Sequence, residues 1–252
     1  MLAVTILMTC GMAIGQPLEN PAGDGLLAPT AAVVYQLPVE KAIKKPDHPK
    51  KYFRIYKIRK GDKVYRRISG KSYQPSGSVP LSSLRYIRVL HYDFKGKIRT
   101  GEIIVNEKIA GSVKSIFYQL YQEKYQIRSM RLVDHYWVKG KDGNAADYRS
   151  VEADNTSAFN YRTISHRSTL SNHAEGLAID LNPRENPYVG YRNGTAYAID
   201  HPNLDQYASG RSSSRAHMIT TEDKAYRLFT SYGFTWGGSW SGTPDYQHFE
   251  HP

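Results

Sequence analysis

The sequence predicts an α+β fold in which helices pack on an antiparallel sheet that carries a metal site, preceded by a basic N-terminal extension. Two runs of β-branched and aromatic residues, 86–93 and 98–105, flank a short turn, as in an antiparallel hairpin. Apolar residues at helical spacing follow this hairpin. Short apolar segments at 178–181 and 246–250 are typical of strands and contain His and Asp residues.

The first fifteen residues have the composition of an export signal. Residues 1–15 are almost wholly apolar, too short to span a bilayer, and end in the small-residue pattern Ala13-Ile14-Gly15, although the usual positive charge is absent. Cys10, the only cysteine, offers a lipoprotein signal as the alternative, which the apolar residues beyond it disfavour. We therefore expect an exported protein of the periplasm or cell envelope, with no disulfide bond and no transmembrane segment.

Residues 16–38 are rich in Pro, Gly and Ala and are predicted to be a linker. The basic extension (residues 39–80) follows, and residues 81–252 are predicted to form the main domain. Within the extension, residues 39–71 hold thirteen Lys and Arg against three acidic residues, a net charge of +10, whereas the whole chain carries +11. Two aromatic and basic runs flank the turn Gly61-Asp62, which is typical of a hairpin.

Aromatic residues alternate with Lys and Arg in residues 39–71, a pattern that fits two kinds of partner. Because the protein is expected to be exported, anionic polymers of the cell envelope are favoured over nucleic acid as its partner. A solvated face without a partner is the third interpretation. Electrostatic binding to a polyanion would weaken as the salt concentration rises.

Further elements are predicted in order along the main domain. Ser112 is expected to cap an amphipathic helix, residues 130–134 to form a strand, and residues 139–147 to form a flexible loop. Residues 182–215 are expected to form a long polar loop that walls a cleft. A last helix is expected to end at Gly233.

Two distant segments supply the groups that a divalent metal ion needs. His173 precedes Asp180, which lies in a short apolar strand, and His248 lies in a second short strand near the C terminus. Catalytic zinc sites commonly take three ligands from His, Asp or Glu and leave the fourth position to water. Gly176 allows a sharp turn between His173 and Asp180. If the two strands lie side by side, the three ligands converge.

Asp245 lies three residues before His248, where it is placed to act on the water. A lone His is more often a packed or surface residue, and an Asp after an apolar run is more often a turn former or a helix cap. The combination of His-x6-Asp with a later Asp-x-x-His favours a metal site over these alternatives.

Five stretches, residues 153–162, 171–183, 186–189, 234–240 and 245–250, resemble the VanY/VanX-type zinc D,D-peptidases and the related L-alanoyl-D-glutamate endolysins. The resemblance is to the D-alanyl-D-alanine carboxypeptidase-like branch, and it covers the chain from about Tyr86 to Pro252.

This resemblance implies roles for individual residues. His173, Asp180 and His248 would bind zinc, Asp245 would act as general base and acid, and Arg162 would stabilise the substrate carbonyl. Much of the family has Glu at the base position, so the shorter Asp makes the distance from base to water the point to check.

Ser171 and Trp240 are predicted substrate-binding residues. Ser171 either hydrogen-bonds the substrate or only caps a turn, and Trp240 ends an aromatic and glycine-rich turn near Asp245. The resemblance implies a zinc peptidase of peptidoglycan stem peptides, most simply a D-Ala-D-Ala carboxypeptidase. The alternatives are an L-Ala-D-Glu endopeptidase, a non-catalytic cell-wall-binding module that retains the fold, and a nucleic-acid binder with an incidental metal site.

Overall fold

The computed structural model describes residues 30–164 and 167–252. The predicted signal (residues 1–15) with Cys10, and residues 16–29 of the predicted linker, lie outside the described residues. The described ranges hold the following α-helices: α1 Ala31–Gln36, α2 Lys63–Ile68, α3 Glu107–Gln122, α4 Gly143–Glu152, α5 Asn172–Glu175 and α6 Lys224–Ser231.

All strand pairs between the named strands are antiparallel, so the mixed helix and sheet content is consistent with the predicted α+β class. Within these residues three small sheets form, with strand orders β1-β2-β3, β4-β8-β7 and β5-β6. The strands are β1 Arg54–Lys57, β2 Leu84–Tyr92, β3 Ile98–Asn106, β4 Ala178–Asp180, β5 Val189–Arg192, β6 Thr195–Ala198, β7 Thr235–Trp236 and β8 His248–Glu250.

The first sheet contains the predicted hairpin. Strands β2 and β3 pair over their whole length, and Gly96 in the connecting turn has a φ of +70°, which favours glycine. Strand β1 of the basic extension pairs with β2 and forms the edge of the same sheet. The sheet therefore crosses the predicted boundary between the extension and the main domain.

The structure differs from the predicted hairpin within the extension. The run after Gly61 forms helix α2 rather than a second strand. Asp62 caps this helix, because its side chain accepts a hydrogen bond from the backbone N–H of Tyr65 at 2.7 Å. The predicted linker also contains a helix, since α1 occupies Ala31–Gln36.

Three other predictions differ from the structure, and in two of them a helix cap in the sequence explains the difference. Helix α3 begins at Glu107, because Asn106 rather than Ser112 caps it. Helix α4 replaces most of the predicted loop at 139–147, and Asp142 caps it by accepting from the N–H of Ala145. Residues 130–134 do not form a strand, since a 3₁₀ helix begins at Val133.

The predicted loop at 182–215 contains the β5-β6 hairpin and a 3₁₀ helix, Pro202–Tyr207. Helix α6 follows and is capped by Asp223. As predicted, a glycine with positive φ, Gly233 at +86°, lies just beyond the end of that helix.

One hydrophobic core joins the first two sheets. Phe229 of α6 stacks on Phe249 of β8 at 4.4 Å between ring centroids and meets Phe117 of α3 edge-on at 6.2 Å. Ile179 of β4 is fully buried in the same cluster. The strands β4 and β8 are therefore held against the long helix that packs on the first sheet, which fixes their position. In the described ranges, none of the helices combines the length and apolar composition that a membrane span requires.

Candidate metal centre

Two paired strands bring the predicted metal ligands together. Strands β4 and β8 are antiparallel neighbours, and Asp180 lies directly opposite His248. His173 comes from the short helix α5, which ends at Gly176 with a φ of +71°. A side chain at Gly176 would lie 2.8 Å from the backbone nitrogen of Asn106, so both the turn and the close packing require glycine here.

The three side chains meet through their polar atoms. His173 Nε2 lies 3.1 Å from Asp180 Oδ2, His248 Nδ1 lies 3.1 Å from Asp180 Oδ1, and the two imidazole nitrogens are 3.2 Å apart. All three residues are buried, and within the described residues they form the group with the spacing that a metal ion needs.

The outer nitrogens of both imidazoles are turned towards acceptors. His173 Nδ1 donates to the carbonyl oxygen of Ala158 at 2.6 Å, and His248 Nε2 donates to Glu250 Oε2 at 3.2 Å. These contacts place a proton on each outer nitrogen, so the inner nitrogens can present lone pairs. Hydrogen bonds of this kind orient metal-binding histidines in many proteins.

The donor set fits zinc. Two imidazole lone pairs and a carboxylate that converge would repel one another unless a cation lies between them. With metal–ligand distances of about 2.0–2.1 Å, the edge of a tetrahedron is about 3.3 Å. The 3.1–3.2 Å separations between the three side chains are close to that edge.

The pKa values of two of the candidate ligands also indicate that a positive charge is favoured between the three side chains. Burial alone would raise the pKa of Asp180, but the charges and hydrogen bonds of His173 and His248 outweigh it and hold that pKa far below its usual range. Burial alone would lower the pKa of His248, but hydrogen bonds to Asp180 and Glu250 raise it to about 10. A proton at His248 Nδ1 therefore occupies the position that a metal ion would take.

A neighbouring segment supports two of the ligands. Ser157 exchanges two backbone hydrogen bonds with Asp180, at 2.9 and 3.0 Å. The backbone N–H of Asn160 donates to the carbonyl of His173, and Ala158 between them accepts from the His173 ring. The residues 157–160 thus fix both the position and the ring orientation of the ligands, a role that the sequence motif alone did not indicate.

Asp245 lies beside the ligands with one oxygen unused. Its Oδ1 is buried and has no hydrogen-bond partner among the described residues. Burial raises the pKa of Asp245 to about 7, the charge of His248 opposes this shift, and the charge of Asp180 adds to it. A carboxyl with a pKa near the operating pH is suited to accept and return a proton.

Gly237 sets the position of Asp245. A Cβ on Gly237 would lie 2.7 Å from the backbone oxygen of Asp245, 3.1 Å from its Cβ and 3.2 Å from the Cβ of His248. The carbonyl of Gly237 also accepts the N–H of Asp245 at 2.9 Å. The aromatic and glycine-rich turn that ends at Trp240 is thus a fixed support, in which residues 237–239 form a 3₁₀ helix.

Arg162 has a carboxylate partner that the sequence did not reveal. Its guanidinium lies 3.0 Å from Asp147 Oδ2, and its Nε is buried without a partner among the described residues. Asp147 belongs to α4, the helix that the sequence analysis took for a loop. The pair holds a largely buried cation at the edge of the site.

Ser171 and Trp240 have defined surroundings. Ser171 caps α5, because its side chain accepts from the N–H of His173 at 3.3 Å. The cap forms whether or not Ser171 also binds substrate. Trp240 is 40% exposed, and its ring centroid lies 5.2 Å from that of His248. Its exposed ring is available to an apolar part of a ligand.

All seven predicted site residues line one cleft of about 660 Å³. They share its lining with groups that the sequence analysis did not select. The predicted residues are Arg162, Ser171, His173, Asp180, Trp240, Asp245 and His248. The missed groups include Asp147, Tyr148 and Glu250. Glu250 could have been found from its place two residues beyond His248 on the same strand, whereas α4 carries no such signal.

Comparison with protein families gives one match. Residues 165–251 match the family model described as D-alanyl-D-alanine carboxypeptidase, which confirms the resemblance over that segment and supports a peptidase. The matched segment contains the three candidate ligands and Asp245, whereas Arg162 and α4 precede it. No curated protein and no solved structure matched the chain.

Proposed function

We propose that this chain is a zinc-dependent peptidase that hydrolyses peptidoglycan stem peptides, with His173, Asp180 and His248 as the zinc ligands. The observation that carries the proposal is the convergence of these three buried donors at 3.1–3.2 Å inside a cleft, within a segment that matches a peptidase family. When bound, zinc supplies a Lewis acid that polarises the substrate carbonyl and lowers the pKa of water towards ~7.

Asp245 performs the proton transfers in this proposal. Its Oδ1, which has no partner among the described residues, accepts a proton from the attacking water and later returns it to the leaving amine. The buried position keeps bulk water from competing for that atom. The side chain of Asp is shorter than the Glu common in the family, and the absence of a side chain at Gly237 lets Asp245 pack close to that residue.

Arg162 stabilises the negative charge that develops on the carbonyl oxygen. A fixed guanidinium beside such an oxygen typically contributes a few kcal/mol to the transition state. Asp147 restricts the Arg162 side chain to the cleft wall, and the Arg162 Nε carries a further donor. Trp240 and Ser171 bind the flanking parts of the peptide.

The proposed scissile bond is D-Ala-D-Ala, which makes the enzyme a carboxypeptidase. Cleavage at L-Ala-D-Glu is the alternative within the same chemistry, and a non-catalytic wall-binding module is the alternative without it. One experiment separates the three. Purified protein is assayed for zinc by mass spectrometry and incubated with a muramyl pentapeptide, and the products are identified by mass.

Release of D-alanine supports the carboxypeptidase, and release of a muramyl-L-alanine fragment supports the endopeptidase. Zinc at one equivalent without any product would favour the binding module. Protein that takes up no zinc and cuts nothing would overturn the proposal.

We also propose export to the cell envelope, with the basic extension contacting anionic polymers there. In the described part of the chain, Arg67 is the one cation of residues 39–71 that forms an ion pair, so the other charges are available to a partner. Binding to a soluble polyphosphate should weaken as salt is raised. Binding that does not change with salt would contradict the electrostatic account.

A further inference from the structure

Helix α4 forms a wall of the cleft outside the segment that matches the peptidase family. Asn144, Asp147, Tyr148 and Val151 all line the cleft, and their spacing of three, four and seven residues places them on one face of the helix. The proposed chemistry uses Asp147 to restrain Arg162, but it gives no role to the rest of this face.

Tyr148 presents a fixed aromatic ring on that face. Tyr148 lines the cleft and is 45% exposed. The imidazole of His201 stacks on it at 4.4 Å between centroids and 19° between planes. Glu152 lies one helical turn after Tyr148, and its Oε1 lies 2.8 Å from His201 Nδ1. This contact holds the imidazole of His201 in place. The stack therefore covers one face of the tyrosine ring and fixes its plane, and the remaining surface is open to the cleft.

Two carboxylates near the ring already have partners. Asp147 pairs with Arg162 at 3.0 Å, and Glu152 pairs with His201 at 2.8 Å. Neither of these two carboxylates is therefore left without a partner beside Tyr148, which argues against a simple ammonium site. A ligand there meets an apolar plane with an amide, Asn144, and a carboxylate, Asp147, on the same helix face.

We propose that this surface, Asn144, Asp147 and Tyr148, binds an N-acetylated sugar ring of the glycan to which the stem peptide is attached. A pyranose has an apolar face of C–H groups that packs on an aromatic plane, and its edge carries hydroxyl and amide groups that hydrogen-bond to amide and carboxylate side chains. The inference rests on the proposed peptidase function, and it names the sugar as part of the substrate of the same cleft.

The test compares one stem peptide with and without an N-acetylmuramoyl group. The wild-type protein should have a kcat/KM for the sugar-bearing peptide about tenfold higher, the order that one aromatic stacking contact supplies. Tyr148→Ala should reduce the ratio of the two kcat/KM values to about one, and Tyr148→Phe should keep it, because the ring rather than the hydroxyl makes the contact.

The matched control is Tyr191→Ala, which removes an exposed tyrosine of β5 that does not line the cleft. It should leave both rates and their ratio unchanged. Equal rates for the two peptides in the wild type, or an unchanged ratio in Tyr148→Ala, would overturn the sugar site while the peptidase proposal stands.

If neither peptide is cut, the peptidase proposal fails, and calorimetric titration of the muramyl peptide decides the sugar site separately. Binding that Tyr148→Ala weakens about tenfold would support the site. Binding that this substitution does not change, or no binding, would overturn it.

Discussion

Two buried clusters of ionisable groups differ in the source of their positive charge, one around Glu102 in the first sheet and one around Asp180 in the second. Glu102 is 1% exposed and accepts two hydrogen bonds from Arg67, at 2.7 and 2.8 Å, and one from the Tyr86 hydroxyl at 2.8 Å. Arg67 also lies 3.3 Å from Asp134. In this cluster the positive charge comes from a guanidinium, which stays protonated in proteins.

Asp180 is surrounded differently. Its partners His173 and His248 are neutral unless protonated, and their inner nitrogens point at each other as well as at the carboxylate. The charge of this cluster is completed by a proton or by a metal ion. A buried carboxylate paired with Arg keeps a fixed cation whose removal destabilises the fold, whereas one paired with facing imidazoles beside a cleft can exchange its cation.

The two clusters should therefore respond differently to substitution. The Asp180 cluster should control metal content and turnover, and the Glu102 cluster should control the free energy of unfolding. Arg67 lies in α2 of the basic extension, so the Glu102 cluster also attaches that extension to the first sheet.

His173→Ala should have the largest effect. It removes one of three ligands, so the protein should lose stoichiometric zinc, and kcat should fall by about 10⁴-fold or more. Zinc is measured by mass spectrometry after dialysis, and activity with the muramyl pentapeptide. A variant that keeps full activity would remove His173 from the site.

Asp245→Ala should separate turnover from metal binding. The variant should keep zinc, and kcat should fall by about 10²–10⁴-fold, because a general base and acid is removed while the ligands remain. Asp245→Glu is the variant to compare with Asp245→Ala, because it keeps a carboxylate at this position with the side-chain length common in the family. Loss of zinc in Asp245→Ala would show that Asp245 is a ligand rather than a base.

Gly237→Ala should misplace Asp245 and His248 without removing either. The added methyl group would lie 2.7 Å from the backbone oxygen of Asp245, so the segment that contains Asp245 must shift. A displacement near 1 Å at reacting groups lowers rates by about 10²-fold.

The control for this substitution is Gly111→Ala. Gly111 lies in helix α3, and a Cβ added there meets no atom within 4 Å. That variant should be fully active and slightly more stable. If Gly237→Ala were as active as Gly111→Ala, the support of Asp245 by Gly237 would be disproved.

Arg67→Ala should destabilise the fold and leave the metal site intact. Glu102 and Asp134 would be buried without their cation, which costs about 3 kcal/mol of unfolding free energy, at the low end for a buried pair because the Arg67 side chain is 32% exposed. Urea titration measures the loss. Arg66→Ala, at the exposed neighbouring position, should change stability by less than about 0.5 kcal/mol. Equal losses in the two variants would contradict the comparison.

The loss of unfolding free energy caused by Arg67→Ala should also depend on pH. Burial would raise the pKa of Glu102, but the hydrogen bonds and charge of Arg67 lower it below the ordinary 4.5. A carboxyl with a lowered folded-state pKa stabilises the protein above its unfolded pKa, and this stability is lost as the pH falls through the folded pKa. The stability difference between wild type and Arg67→Ala should thus be largest at high pH, where Glu102 is ionised in both proteins, and shrink as the pH falls towards and below 4.5. A difference that grows on acidification would reverse the assignment.

Local patterns predicted the elements whose signals are contained within a few residues. The β2-β3 hairpin follows from alternating residues around a turn with Gly96, and Gly176 and Gly233 both have the positive φ that their turns require. The predictions of secondary structure were wrong where a polar residue can serve either in a turn or as a helix cap. Asp62 and Asp142 were taken as turn or loop residues, and both cap helices. Short polar residues satisfy either role, and packing decides which one.

The sequence alone determined which residue types are available for a metal and that Asp180 and His248 lie in short strands, because His, Asp and strand-forming residues are chemically distinct wherever they occur. Only the tertiary structure decided that Asp180 stands opposite His248, that Ala158 and Glu250 orient the imidazoles, and that α4 walls the cleft with Tyr148. Such contacts join residues far apart in the chain. Their formation depends on strand register and on the shared core, which no local pattern encodes.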